Sequence, residues 1–360
     1  MNNPVTASVI GGGVGGRLSL AALQQSAKFR IAAAADVRPQ ARKALAADFP
    51  EARVFASHEE MFAECPTDVV CVSTYPPSHE AVVMAALEVQ NLKGLLVEKP
   101  LGDTAAAGRR ILDAICKRGL PMVVPHNLRA LATPTDIVAK IREDAIGDLK
   151  LIEVQCDKWD ILNAGIHWFE FCLAAAAETP IRSVLAACDN STRTYRDGMQ
   201  VETIAVTYVE NEKGVRFVVQ TGDYVDVNSA GKGLVFRLYG SAGFIEFWGW
   251  EPSYLIHNTA HPDGALITPQ ALPVTGHQWH LERLAGQIAE GKADYRLPVA
   301  SQTSLEICES AFLSWKHRCL VRFPFASFVP PEPTGWEIGQ PYSGVGGGRN
   351  GRELPEQDSK

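Results

Sequence analysis

"TASVIGGGVGGR", Thr6–Arg17, decides the fold. An apolar run breaks into glycines with G-x-G-x-x-G spacing at Gly11, Gly13 and Gly16, and a helical pattern starts at Val14. Each glycine has a separate physical use. Gly11 permits the tight turn, Gly13 lets the backbone approach a pyrophosphate, and Gly16 lets helix and strand pack closely. The first helical N–H groups at Val14 and the positive end of the helix dipole then face the phosphates. The second apolar run, "FRIAAAADV", ends at Asp36, about 20 residues after Gly16, where a carboxylate binds the adenosine ribose hydroxyls. Asp36 repels a 2′-phosphate and so favours NAD, while Arg38, two residues on, leaves NADP possible.

Working outward from this loop, the pattern repeats. The strand-like runs "ARVF", "TDVVCVST", "GLLVE" and "MVVPH" alternate with helical segments. These are "RPQARKALAADF", a segment opened by the capping box Ser57/Glu60, "PSHEAVVMAALE" and "TAAAGRRILDAICKRG". Alternation of this kind predicts a doubly wound parallel α/β sheet, a Rossmann domain over residues 1–128. Most of these strands are apolar throughout, as they must be when helices cover both faces.

The pattern changes after about residue 130. A helix over "TPTDIVAKIRED" leads into the strand "IGDLKLIEVQC". Strand runs then dominate from about 181 to 258, and two helices follow near 277–290 and 302–318. Residues 129–328 are therefore expected to form an α+β domain with an open-faced, mainly antiparallel sheet. Residues 329–360 are rich in proline and glycine, the composition of a disordered segment. The expectation is nevertheless an irregular arm packed on its own body or on a neighbouring subunit.

The 360 residues carry a net charge of −7 and are 46% hydrophobic and 21% charged. That balance is ordinary for a globular chain and argues against nucleic acid or an anionic membrane as partner. No apolar run is long enough to span a bilayer and no basic leader precedes the first strand, so a cytoplasmic protein is expected. The eight cysteines include no C-x-x-C pair, which points away from a zinc site and from structural disulfides.

"VCVSTYPPSHEAVVMAALE", "LLVEKPLG", "VVPHNLR" and "IGDLKLIEV" together resemble the Gfo/Idh/MocA oxidoreductase family of glucose–fructose oxidoreductase and inositol dehydrogenase. The likeness is dense over about residues 6–155. Beyond that it rests on "NAGIHWFEF" and "YGSAGFIEF". The resemblance implies hydride transfer between NAD(P) and a hydroxyl or keto carbon of a sugar, polyol or glycoside. It also implies a homo-oligomer, dimer or tetramer, joined through the second-domain sheet. Two variants of this function stay open: a redox-cycling glycoside-modifying enzyme with retained NAD, and a catalytically silent NAD-binding regulator.

Lys99 follows the fifth strand at its carboxyl end, where open α/β sheets bind ligands, and Pro100 stops that strand. An ammonium there can donate to the oxygen whose charge changes in hydride transfer. Glu98 is expected to orient Lys99 or the nicotinamide ribose. The resemblance implies that Thr74, Pro76 and His79 line the cofactor channel, although His79 is equally readable as a packed helix residue. It places His167 as the proton acceptor within "NAGIH". Here Asn163 stands where the family motif has an aspartate, so His167 lacks a carboxylate to hold an imidazolium. Binding without proton transfer, or plain packing, are the other readings of His167. Asp160, in the short "DKWDIL" loop, is the substitute partner and also a candidate substrate contact. Tyr75, Trp159 and Trp168 are candidates for stacking on a sugar ring, and Asn127 and Arg129 for other substrate contacts. No residue set suggests a metal.

Overall fold

Eleven short elements build the first third of the chain by strict alternation. They are β1 Val5–Ile10, α1 Val14–Gln25, β2 Phe29–Ala35, α2 Pro39–Asp48, β3 Arg53–Phe55, α3 His58–Glu64, β4 Val69–Val72, α4 His79–Leu87, β5 Gly94–Val97, α5 Ala105–Arg118 and β6 Met122–Val123. The computed structural model describes residues 4–191, 195–229 and 231–332. The six strands are all parallel, in the order β3-β2-β1-β4-β5-β6. Strand order reverses between β1 and β4, which opens the crevice where such sheets bind ligands. Helix starts follow their caps. Ser57 Oγ accepts from Glu60 N–H at α3, and Thr104 Oγ1 accepts from Ala107 N–H at α5.

The elements that follow are α6 Ala132–Arg142, β7 Leu149–Asp157, α7 Ile166–Ala175, β8 Ile181–Asp189, β9 Tyr195–Arg196, β10 Met199–Gln200, β11 Ile204–Asn211, β12 Arg216–Gly222, β13 Leu234–Gly240, β14 Gly243–Phe247, β15 Tyr254–Asn258, β16 His261–Ile267, α8 Gly276–Glu290, α9 Arg296–His317 and β17 Val321–Arg322. Nine of these strands form one sheet, β16-β15-β14-β13-β7-β12-β11-β8-β17. It is antiparallel except where β7 and β12 run parallel. One face packs against α7 and α9, with Phe217, Phe236 and Phe247 meeting Trp168, Phe171 and Leu305. The other face leaves Leu185 and Val206 exposed.

Two boundaries depart from the sequence reading. β16 carries Pro262 and Gly264, which weaken a strand pattern, yet it lies at the sheet edge, where a missing ladder donor costs little. α9 starts at Arg296 rather than 302, because Pro298 sits in the first turn, where no intrahelical N–H is needed.

α8 follows the second sheet in sequence but returns to the first. Its Leu281 and Leu284 share a core with Ala7, Val9 and Leu20. α9 ties the two parts together, since Glu309 Oε2 accepts from Ala105 N–H at the start of α5. Residues 1–328 form one unit and 329–360 a second. The expected arm lies, apart from its first four residues, outside the described residues.

Candidate active site

The loop between β1 and α1 needs glycine for reasons visible in its contacts. Gly11 has φ +102°, and a Cβ there would stand 2.3 Å from the Ser73 carbonyl oxygen. A Cβ on Gly16 would fall 1.7 Å from the Gly11 carbonyl oxygen, so helix and strand touch. A Cβ on Gly13 would meet nothing within 4 Å. Gly13 is the extended N-cap of α1 with no side-chain cap, and Val14 is 80% exposed. A bare, uncapped helix terminus beside open space fits a dinucleotide pyrophosphate.

Asp36 ends β2 as expected, with its carboxylate fully engaged. Oδ2 accepts from Gly12 N–H at 2.7 Å and from Arg38 Nη2 at 2.9 Å, and Oδ1 accepts from Arg38 N–H and Nε. Burial pushes its pKa up, but the Arg38 contacts outweigh this and hold it below the usual range. Arg38 therefore lies against Asp36 rather than standing apart from it, and a ribose hydroxyl would take over acceptor sites that Arg38 now fills.

The loops after β4 and β5 are joined by His79. This residue is fully buried, its Nδ1 faces the Pro100 and Leu101 carbonyl oxygens, and its Nε2 faces that of Thr74. It braces the cofactor loops from behind and does not line a channel, which corrects the expectation. Burial outweighs these hydrogen bonds and holds the His79 pKa below the ordinary histidine value. Pro76 is likewise buried, while Tyr75 is 60% exposed. Thr74 Oγ1 is held by Ser78 Oγ at 2.8 Å.

Glu98 has partners on both of its oxygens. It is buried beneath α1, where a Cβ on Gly15 would lie 3.0 Å from its Oε1. That oxygen accepts from His277 Nε2 of α8 at 2.6 Å, and Oε2 accepts from Lys99 N–H. Burial raises the Glu98 pKa, but His277 outweighs it. Nothing in the local sequence announces His277, which lies 179 residues away.

Lys99 reaches across to the segment that precedes α7. Its Nζ donates to the Asn163 backbone oxygen at 2.8 Å and to Asn163 Oδ1 at 3.2 Å. Two of three ammonium protons are thereby used and one remains. Burial lowers the Lys99 pKa, while Glu98, Asp160 and Asp197 oppose the fall.

Asn163 belongs to a wide helical turn, Ile161–Gly165, that precedes α7, and Asp160 caps this turn by accepting from Asn163 N–H at 2.7 Å. Asp160 is wholly buried and also pairs with Arg196 at 3.3 Å, so it neither touches the cavity described below nor partners His167. Asn163 does not partner His167 either, because its amide points to Lys99 and Asp197.

α7 is apolar on every side and entirely buried, which carries His167 and Glu170 into the core. His167 Nδ1 meets His126 Nδ1 at 3.2 Å, and His126 Nε2 meets Ser301 Oγ at 2.8 Å. Two tautomer arrangements satisfy this relay; in the one where His126 Nε2–H donates to Ser301, His126 Nδ1 accepts from His167 Nδ1–H. His167 Nε2 then carries the lone pair. Burial first, then the Lys99 ammonium and His126, hold the His167 pKa well below the ordinary histidine value. Glu170 is pushed up to about 7 by burial, against Arg129, whose Nε lies 3.5 Å from it. Arg129 thus serves Glu170 and not a substrate, another correction.

Lys99, Asn163 and His167 line one cavity of about 500 Å³, together with Asn127, Lys158, Trp159, Trp168, Lys232, Trp248 and Trp250. Asn127 Oδ1 is buried without a hydrogen-bond partner. Trp168 is only 2% exposed and packs edge-on against Phe236, so it is mainly core, whereas Trp159 and Trp250 are about half exposed. Trp248 and Trp250 were not legible as site residues, since "FWGW" reads as the end of a strand. Among the described residues no group of three or more His, Cys, Asp or Glu could hold a metal ion. No helix there is long and apolar enough to cross a membrane.

Residues 5–126 match the family model described as "Oxidoreductase family, NAD-binding Rossmann fold". Inositol 2-dehydrogenase of Acidiphilium cryptum is 32% identical over 141 residues, 39% of this chain and 41% of that protein. The match therefore spans about two fifths of that relative's length. Aldose-aldose oxidoreductase of Caulobacter crescentus, solved with glycerol, superposes with a TM-score of 0.76 at 16% identity, covering 89% of this chain and all of that one. An oxidoreductase of Agrobacterium radiobacter, solved with NAD+, L-tartaric acid and magnesium, gives 0.73 at 16% identity, covering 89% and 98%. Likeness at such identity shows the fold, and it extends over both sheets.

Proposed function

Because the chain belongs, through residues 5–126, to the Gfo/Idh/MocA oxidoreductases, we propose that it is an NAD-dependent dehydrogenase of a sugar, polyol or glycoside hydroxyl. One observation carries the reading. A lysine with an unused ammonium proton and a histidine with a free Nε2 line the same cavity, and the lysine stands at the carboxyl end of β5. The Gly11–Gly16 loop and Val14 would hold the pyrophosphate, and Asp36 with Arg38 the adenosine ribose. Bound NAD would accept the hydride from the carbinol carbon. The remaining chemistry belongs to the chain. Lys99 Nζ donates to the reacting oxygen and stabilises its negative charge. His167 Nε2 accepts the hydroxyl proton, and Nδ1–H stays on His126 to fix the tautomer. The half-exposed faces of Trp159 and Trp250 suit the apolar face of a sugar ring. The inositol 2-dehydrogenase relative supports the polyol class.

The test is a panel of polyols, sugars and glycosides with NAD and with NADP, followed at 340 nm, and repeated without added cofactor. No reduction with any member of the panel removes the reading, and turnover without added cofactor favours the redox-cycling variant. Asp36→Ser removes the carboxylate and leaves Arg38 to meet a 2′-phosphate. The ratio of kcat/KM with NADP to that with NAD should rise about tenfold or more, the loss of a like-charge contact of about 1.4 kcal/mol. An unchanged ratio would place the ribose elsewhere.

A further inference from the structure

The β9–β10 hairpin docks on the segment that carries Asn163. Its turn residues Asp197 and Gly198 have φ +48° and +77°, the paired positive values of a tight two-residue hairpin turn. Arg196 Nη1 lies 3.3 Å from Asp160 Oδ2, and its guanidinium sits 4.3 Å from the Trp159 ring centroid. Asp197 Oδ2 accepts from Asn163 Nδ2 at 2.8 Å. The Asn163 amide is thus held between an ammonium and a carboxylate. A lysine only donates and a carboxylate only accepts, so the amide has one orientation, with Oδ1 toward Lys99 and Nδ2 toward Asp197. Asparagine suits this position and aspartate does not, because an aspartate would face Asp197 at hydrogen-bond distance.

We infer that Asp197 is a positioning residue. It fixes the Asn163 amide so that Asn163 Oδ1 and the backbone oxygen hold two protons of Lys99 and aim the third into the cavity. The inference rests on the reading of Lys99 given above. The hairpin thereby makes the site dependent on a residue that touches neither cofactor nor reacting atoms. The charged and titratable groups around Lys99 are Glu98, Asp160, Asp197, Arg196, His126 and His167.

The test uses the full chain as wild type, Asn163→Asp, Asp197→Asn and the double variant, with two readouts. Asn163→Asp sets two carboxylates against each other and opens the cradle, so kcat/KM should fall about tenfold to a hundredfold, the usual cost of small displacement at a reacting group. The double variant restores an amide–carboxylate pair in reverse order and should recover most of that loss. Asp197→Asn alone should cost little, since an amide oxygen still accepts from Asn163. Losses that add in the double variant overturn the inference. The second readout needs no substrate: the pH midpoint of Lys99 trace acetylation by acetic anhydride, read by peptide mass spectrometry. It should move down in Asp197→Asn, where a carboxylate is lost, and up in the double variant, where one lies directly against Nζ. Unmoved midpoints overturn the inference. Midpoints that move without any change in kcat/KM uphold the Asp197–Asn163–Lys99 linkage and remove Lys99 from the reacting oxygen.

Discussion

Lys99→Ala lowers kcat about 10²- to 10³-fold, the cost of removing one preorganised donor from a charge-bearing oxygen. Affinity for NAD stays near that of the wild type, because the phosphate contacts come from the Gly11–Gly16 loop and the terminus of α1. Measuring both in the same preparation, NAD by fluorescence titration and turnover at 340 nm, separates a lost donor from a lost fold. A second consequence follows from the electrostatics. The Lys99 ammonium is among the causes that depress His167, so in Lys99→Ala the acidic limb of the residual oxidation moves to higher pH. Wild-type turnover in Lys99→Ala would take the lysine out of the reaction.

His167→Asn lowers kcat/KM for oxidation by about 10²- to 10⁴-fold, the usual contribution of a placed general base. Asparagine can still meet His126, so the core contact survives while the cavity-facing base is lost. The wild-type pH profile carries the sharper signature. Oxidation needs neutral His167, and the group is held neutral well below an ordinary histidine value of about 6.5. The acidic limb of kcat/KM should therefore lie below that pH, and reduction, which needs the imidazolium, should be favoured only in acid. His126 is depressed in the same way, and burial pulls His280 down to about 3. Since the unfolded chain takes up these protons first, these histidines cost no stability above about pH 6.5 and cost progressively more as the pH falls below it. Melting curves across the same pH range tell this loss from titration of the base. An acidic limb at or above about 6.5, in protein that is still folded, would assign the titration to a group other than His167.

Much of this protein is legible along the chain. The alternation of apolar strands and amphipathic segments encodes the parallel sheet, because strand and helix periods are properties of near neighbours. Gly11 and Gly16 are required by contacts within a single βαβ unit, and Asp36 and Lys99 occupy strand ends that the unit's connectivity dictates. His167 could be singled out because the "NAGIH" stretch resembles a family motif. What these groups touch is another matter. His167 rests on His126, 41 residues away; Asn163 meets Asp197, 34 away; Glu98 is held by His277, 179 away. Arg129 and Asp160, read as substrate contacts, are instead claimed by Glu170 and Arg196. No local pattern records such pairs, since they arise where α8, α9 and the β9–β10 hairpin pack across the two sheets. A buried polar group must find whichever partner that packing brings within about 3 Å. The sequence by itself determined which chemical groups the site contains, and only the tertiary structure decided which of them are paired and which are left free to act.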